Sequence, residues 1–356
     1  MNGEKNERES AYEVVPQTVG SWRKKIFTAI RIIFGVGLFY YVVTATEGWS
    51  ALEKLASNLW VVIGLISLPL FGASIEAHRM RVLFQSQDIS LSFRNGFRIV
   101  AIGTMFNFCL PGGTGGDMVK LYYLAQENKG KGIEVATVVL VDRAVALLAL
   151  LVLIVTLATL AWPLVLSLKT VQWLVGAAVL GIVALVLFST LVWEQSHRMR
   201  RLMSAIPKWI SLRNLFQRGV EAFLNFTDHK LSVMKVGVWS FFGHMMLAAM
   251  FIVSGSILIP EVAPLTTSLL ALLGMLANAL PVTPGGLGVG EAAFEGLFLL
   301  DGYVGGAQLI LAWRLGMLPL CLVGCLLYIF LPQRKSLKAE GQPNVLSPVP
   351  HQRSAQ

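Results

Sequence analysis

Pro111-Gly112-Gly113-Thr114-Gly115-Gly116-Asp117 recurs 173 positions later as Pro284-Gly285-Gly286-Leu287-Gly288-Val289-Gly290-Glu291. Both stretches read Pro-Gly-Gly-x-Gly followed by an acid. Each interrupts an apolar run, and each has an asparagine a few positions upstream, Asn107 and Asn278. A helix broken inside hydrocarbon leaves backbone N–H and C=O groups that lipid cannot satisfy, so such a break persists only when buried in protein or lining a wet cavity. Two matching breaks at corresponding places point to a transport site.

The rest of the chain fits that reading. Of its 356 residues 55% are hydrophobic and only 14% charged, and the mean hydropathy is +0.66, outside the balance of soluble domains. Windows such as Leu55–Ile75, Ala144–Leu168 and Leu315–Pro332 carry no charge, and a bilayer span needs about 20 such residues. Cys109, Cys321 and Cys325 sit in apolar segments without metal-ligand or disulfide spacing. The net charge of +9 lies beside the apolar runs with no interleaved aromatic platform, which argues against nucleic acid and for juxtamembrane charge. No metal or cofactor motif occurs.

Read in order, the sequence predicts a polar cytoplasmic tail over 1–25, a transmembrane domain over 26–332, and a second cytoplasmic tail over 333–356. The fold class is an all-α polytopic membrane protein with about six full spans, near 26–46, 57–76, 133–161, 170–193, 236–259 and 307–331. The segments 99–110 and 265–281 are too short, or too soon broken, to cross. Each reads as one arm of a re-entrant hairpin that enters and leaves on the same side. With both termini cytoplasmic, Lys54 and Lys169 fall outside, Arg143 and Arg314 lie within the membrane, and the other 25 of 29 Lys and Arg fall inside. That partition obeys the positive-inside rule only if both breaks are hairpins. It counts Arg79 to Arg98 and Lys120 to Lys131 as cytoplasmic loops, and 194–235 as a cytoplasmic loop with an amphipathic helix around Met199–Ile210 lying on the inner leaflet. The hairpins then open to opposite faces, as in the inverted repeats of alternating-access carriers.

The candidate site residues follow from the breaks. Gly112, Gly113, Gly115, Gly116 and Gly285, Gly286, Gly288 offer backbone N–H groups beside a helix start, a setting suited to phosphate or carboxylate. Close helix packing is the competing account. Asp117 and Glu291 stand where an acid caps a helix, or where an intramembrane carboxylate takes a proton or cation. Asp142 and Arg143, adjacent on a long apolar helix, cannot face each other and need other partners; Asp117 or a bound phosphate suits Arg143. Arg314 has Glu291 or Glu295 as its nearest acids. His244, alone in an apolar helix, reads as a hydrogen-bonded core residue.

Pro-Gly-Gly-x-Gly-Gly-Asp, Val141-Asp142-Arg143 and Pro281-Val282-Thr283-Pro284-Gly285-Gly286-Leu287-Gly288 with Glu291 resemble the lysylphosphatidylglycerol synthase transmembrane family, over about 80–331. That family provides the flippase-like N-terminal module of the bacterial multiple peptide resistance factor and stand-alone inner-membrane proteins. The resemblance implies re-entrant helices, an inner-membrane location and a phospholipid or lipid-linked anionic substrate. It implies the translocating half without the aminoacyl-transfer domain, for which about 25 residues after the last span leave no room. The partners expected are membrane lipids, with a homo-oligomer or a separate lipid-modifying enzyme as further partners. The leading expectation is lipid flipping without catalysis. The alternatives are an accessory subunit or transferase acting on a lipid phosphate, and a carrier of small anions.

Overall fold

The computed structural model describes residues 48–109, 115–205, 213–279 and 286–330. Every element among them is helical: α1 Gly48–Ala56, α2 Leu59–Gln85, α3 Phe93–Cys109, α4 Gly115–Glu127, α5 Gly132–Leu160, α6 Trp162–Ser167, α7 Lys169–Ala205, α8 Arg213–Asp228, α9 Lys230–Leu258, α10 Pro264–Asn278, α11 Val289–Leu300 and α12 Gly306–Phe330. Five of these, α2, α5, the first part of α7, α9 and α12, are long and apolar enough to cross a membrane. The expected span over 26–46, both tails, and Gly112, Gly113 and Gly285 lie outside the described residues.

α2 starts where Asn58 accepts hydrogen bonds from the N–H groups of Trp60 (3.1 Å) and Val61 (3.4 Å), satisfying donors that the first turn leaves over. It runs antiparallel to α9, with Gly64 against Val253, Ile75 against Gly243, and His78 edge-on to Trp239. These two helices form the axis on which the hairpins are hung.

α3 and α4 form the first hairpin. At its open end Glu127 accepts from Asn95 and Arg98, and at its tip Gly116 N–H donates to Asn107 Oδ1 at 2.7 Å. α10 and α11 form the second, with Gly274 against Phe294 and Asn278 against Gly290. The first hairpin opens beside the end of α2 and the start of α9, where Lys131 donates to Asp88 O and Gln87 to Ala222 O. The second opens beside the end of α9, where Gly305 meets Ile259. The two therefore open at opposite ends of the bundle. Each sits in its own apolar core: one includes Leu83, Ile99, Leu124 and Val138, the other Phe251, Leu269, Phe294 and Ile310. In lipid, helices associate through close packing rather than through water exclusion. Gly324 of α12 accordingly lies against the Ala101 carbonyl of α3, where an added Cβ would come within 2.2 Å.

Three expectations change. α2 extends to Gln85, so Arg79 is not in a basic loop; it is buried inside the bundle. Lys120 is likewise buried, in α4. A basic residue near the end of an apolar run looks juxtamembrane by composition, but both of these are held inward by acids from other helices. Lastly, α7 continues through residue 205 rather than ending near 193, and α8 buries Ala222, Leu224 and Phe226.

Candidate functional site

Beside the tip of the first hairpin, three acids and three bases from α2, α4 and α5 meet. Arg79 grips Asp142 with Nε on Oδ1 at 3.2 Å and Nη2 on both carboxylate oxygens at 2.9 Å. Both side chains are 7% exposed. That pair is closed on itself, as a buried pair must be to offset its desolvation. The other four charges share contacts. Lys120 Nζ lies 2.6 Å from Glu76 Oε1 and 3.4 Å from Asp117 Oδ1. Arg143 Nη2 donates to Asp117 Oδ1 and reaches Glu76 Oε1 at 3.5 Å. Arg143 is the member that reaches the surface of the bundle, its side chain 44% exposed against 3% for Lys120. Helical geometry explains the split of neighbours: Asp142 and Arg143 point about 100° apart, one to α2 and the other to α4.

The second hairpin carries a simpler arrangement. Arg314 of α12 holds Glu291 through Nε–Oε1 at 3.0 Å and Nη2–Oε2 at 3.3 Å, and reaches Asn278 Oδ1 at 3.4 Å. Glu291 Oε2 also accepts from the Gly288 N–H at 2.7 Å. It therefore both caps α11 and neutralises Arg314. Arg314 and Glu291 are buried. Glu295 serves elsewhere, accepting from the Gly305 and Ala307 N–H groups at the start of α12.

The two arrangements are copies in sequence as well as in space. Gly103, Asn107 and Arg143 match Gly274, Asn278 and Arg314 at an offset of 171, and Gly116 and Asp117 match Gly290 and Glu291 at 174. The contacts match too. A Cβ on Gly103 would strike the Lys120 side chain, and one on Gly274 would strike Phe294, which stands 174 positions after Lys120. A Cβ on either Gly116 or Gly290 would strike the partner asparagine.

A family model for the lysylphosphatidylglycerol synthase TM region matches residues 28–334. The chain belongs to that family. The match takes in the first expected span as well as everything from α1 to α12, a wider reach than the motifs alone suggested. No curated protein and no solved structure matches the chain. Membership places this protein among multi-pass membrane proteins with a lipid-related role.

Of the residues singled out from sequence, Asp117 and Arg143 meet, as do Glu291 and Arg314, while Asp142 finds Arg79 instead of a ligand-facing position. Gly116 and Gly286 press on Asn107 and Asn278, and Gly286 does so at a φ of 71°; the close packing weighed against a ligand role is present at both positions. Gly288, φ 81°, has open space where a Cβ would go, and Gly115 is half-buried at the start of α4. His244 Nε2 contacts Ala146 O at 2.9 Å, a core histidine held by hydrogen bonding. Sequence reading missed Glu76, Arg79 and Lys120. Glu76 left a signal: it is an acid inside an apolar run, and the uncharged window ending at Ile75 stops one residue short of it. Among the described residues no group of three or more His, Cys, Asp or Glu is placed to hold a metal.

Proposed function

We propose that this protein moves a phospholipid or lipid-linked anion between leaflets. The observation that carries this reading is the pair of matched hairpins opening at opposite ends of the bundle, each anchored to an arginine of a long helix. Exchanging the states of two such halves exposes a central site to either side in turn. Arg143 is the group suited to the head group. It lies at a hairpin tip, reaches the bundle surface, and its fork can trade Asp117 for a phosphate. Membership of a lipid-related family favours a lipid over a small soluble anion as the cargo.

The test is reconstitution in liposomes with fluorescent phosphatidylglycerol in one leaflet, followed by chemical quenching from outside. Wild-type protein should equilibrate the label, and Arg143→Gln should slow it about tenfold or more, the effect of one lost charge-assisted hydrogen bond. Equilibration at the rate of empty liposomes would refute the reading. The end of the bundle bearing Arg94, Lys129 and Lys131 is the cytoplasmic one in this proposal, in a bacterial inner membrane, because positive charge stays inside. A thiol at Lys129→Cys, with the native cysteines replaced, should react with an impermeant reagent only in inside-out vesicles; reaction from the outer face would reverse the orientation.

A further inference from the structure

Glu76 and Asp117 each give one carboxylate oxygen to both Lys120 and Arg143 and keep the other, Glu76 Oε2 and Asp117 Oδ2, without a hydrogen bond from any described residue; what sets Glu76 apart is the space beside it. Neither free oxygen is sealed in, since among the described residues the one buried side-chain polar atom without a partner is Arg98 Nε. Glu76 lines a cavity of about 140 Å3 between α2, α9 and α12, otherwise walled by residues such as Leu247, Met250, Trp313 and Met317. That space is roughly ten times the 10–15 Å3 that one water requires. Glu76 also borders the cleft that holds Asp117, Lys120 and Arg143. It is the charged residue common to both.

The repeat shows what is special here. At the offset of 171 that relates the two halves, Glu76 corresponds to Leu247, Arg79 to Met250 and Asp142 to Trp313. The half without the four-charge cluster has no acid at the Glu76 position. Glu76 belongs to the ligand-handling chemistry of one half rather than to the anchoring common to both.

Charge balance then fixes a consequence. With Arg79 and Asp142 closed on each other, Glu76 and Asp117 face Lys120 and Arg143, two negative charges against two positive. A monoanionic head group that takes Arg143 or Lys120 leaves three against two in a low-dielectric setting, where an unpaired charge is costly. It also draws off one of the two cations that face Glu76. We propose that Glu76 is a proton site: binding one anionic head group drives uptake of one proton from cavity water onto Glu76 Oε2, so that charge stays balanced and lipid movement is coupled to proton movement. The charged and titratable groups around Glu76 are Arg79 on α2, Asp117 and Lys120 on α4, and Asp142 and Arg143 on α5. α3 contributes Thr104 and α12 Trp313 and Met317. His244 on α9 is committed to Ala146 O. Asp117 also keeps a free oxygen, but it borders the small cleft and not the cavity, so Glu76 is the acid placed to take a proton from cavity water.

This inference rests on the lipid-transport reading and is tested separately from it. Short-chain phosphatidylglycerol is titrated into the detergent-solubilised full chain by calorimetry in two buffers of different ionisation enthalpy, which yields protons taken up per lipid bound. Wild-type protein should take up about one. Glu76→Gln, which mimics the protonated acid, should take up close to none, with lipid affinity no longer dependent on pH. Infrared difference spectra of the wild type should show a protonated-carboxyl band on lipid binding, shifted by 13C-glutamate and not by 13C-aspartate; this needs no variant to fold. Binding without proton uptake, uptake unchanged in Glu76→Gln, or a band that follows the aspartate label would each overturn the proton site while leaving transport standing. Absence of any lipid binding would remove both.

Discussion

The two hairpins share a frame and differ in what fills it. Each has an asparagine in its first arm pressed on a glycine of the second, followed by an acid that holds an arginine from a neighbouring long helix. In the second half that set is buried, and Arg314 holds both Glu291 and Asn278. In the first half the same set is loosened by two extra charges, Glu76 and Lys120, and its arginine reaches the surface. Where the first half places Lys120 against Gly103, the second places Phe294 against Gly274. In the proposed reading one copy serves as an anchor and the other as an exchangeable site. Duplication of a frame followed by polar substitution in one copy is enough to produce that division.

The comparison breaks most visibly if the two arginines behave alike. Arg314→Gln leaves Glu291 buried without its cation and should cost about 3–5 kcal/mol of stability, the usual penalty for half of a buried pair. Arg143→Gln removes a partly exposed group from a cluster in which Lys120 can still meet both Glu76 and Asp117. It should cost no more than about 1.5–3 kcal/mol, the worth of a hydrogen bond to a charged group, while slowing lipid movement about tenfold or more. Thermal unfolding in detergent beside the flipping assay separates the two. Equal destabilisation by both changes would make Arg143 another anchor.

Much of this was legible in the sequence. The repeated glycine motif, the upstream asparagines, and Arg143 and Arg314 gave the hairpins and their anchors, because helix breakers and charges in apolar runs have few physical explanations. Glu76, Arg79 and Lys120 escaped for a reason of a different kind. Their partners lie far off in the chain, 44 residues from Glu76 to Lys120 and 63 from Arg79 to Asp142, and composition alone reads a cation near the end of a span as a loop charge. The extended repeat, with Lys120 at the place of Phe294, emerged only once contacts identified which residues to align.

A smaller difference should appear at the glycines under those two side chains. In Gly274→Ala the new Cβ would lie 2.5 Å from Phe294 Cδ2, within a ring packed among Phe251 and Leu269; in Gly103→Ala it would lie 2.4 Å from Lys120 Cε and 2.8 Å from its Cγ, along an unbranched side chain. Overpacking of a rigid core costs about 1–3 kcal/mol, whereas the lysine chain can move. Gly274→Ala should therefore lower stability by about that amount with little loss of transport from the protein that remains folded. Gly103→Ala should cost less stability and more transport, because it displaces Lys120 from Glu76. The reverse ranking in paired melting and flipping measurements would show that the first half is packed as tightly as the second.

The smallest effect lies at the open ends, where Glu127 and Asp301 occupy equivalent places at the offset of 174. Glu127 accepts from Asn95 at 2.5 Å and from Arg98 at 2.6 Å. Asp301, in the turn between α11 and α12, has no such partner among the described residues, and burial pushes its carboxyl above the usual carboxylate range. A carboxyl whose folded pKa is raised binds its proton more tightly when folded. It adds stability in acid, and that contribution is lost as pH rises through the raised value. Asp301→Asn should thus raise the melting temperature slightly at neutral pH, with the gain vanishing below about pH 4, where the aspartate is protonated in both states. Glu127→Gln should do the opposite, losing an ion pair worth about 0–1 kcal/mol. Melting curves of the two variants from pH 4 to 8 decide the matter: a loss of stability at neutral pH in Asp301→Asn would mean that this carboxylate has a cation partner and that the two open ends are built alike.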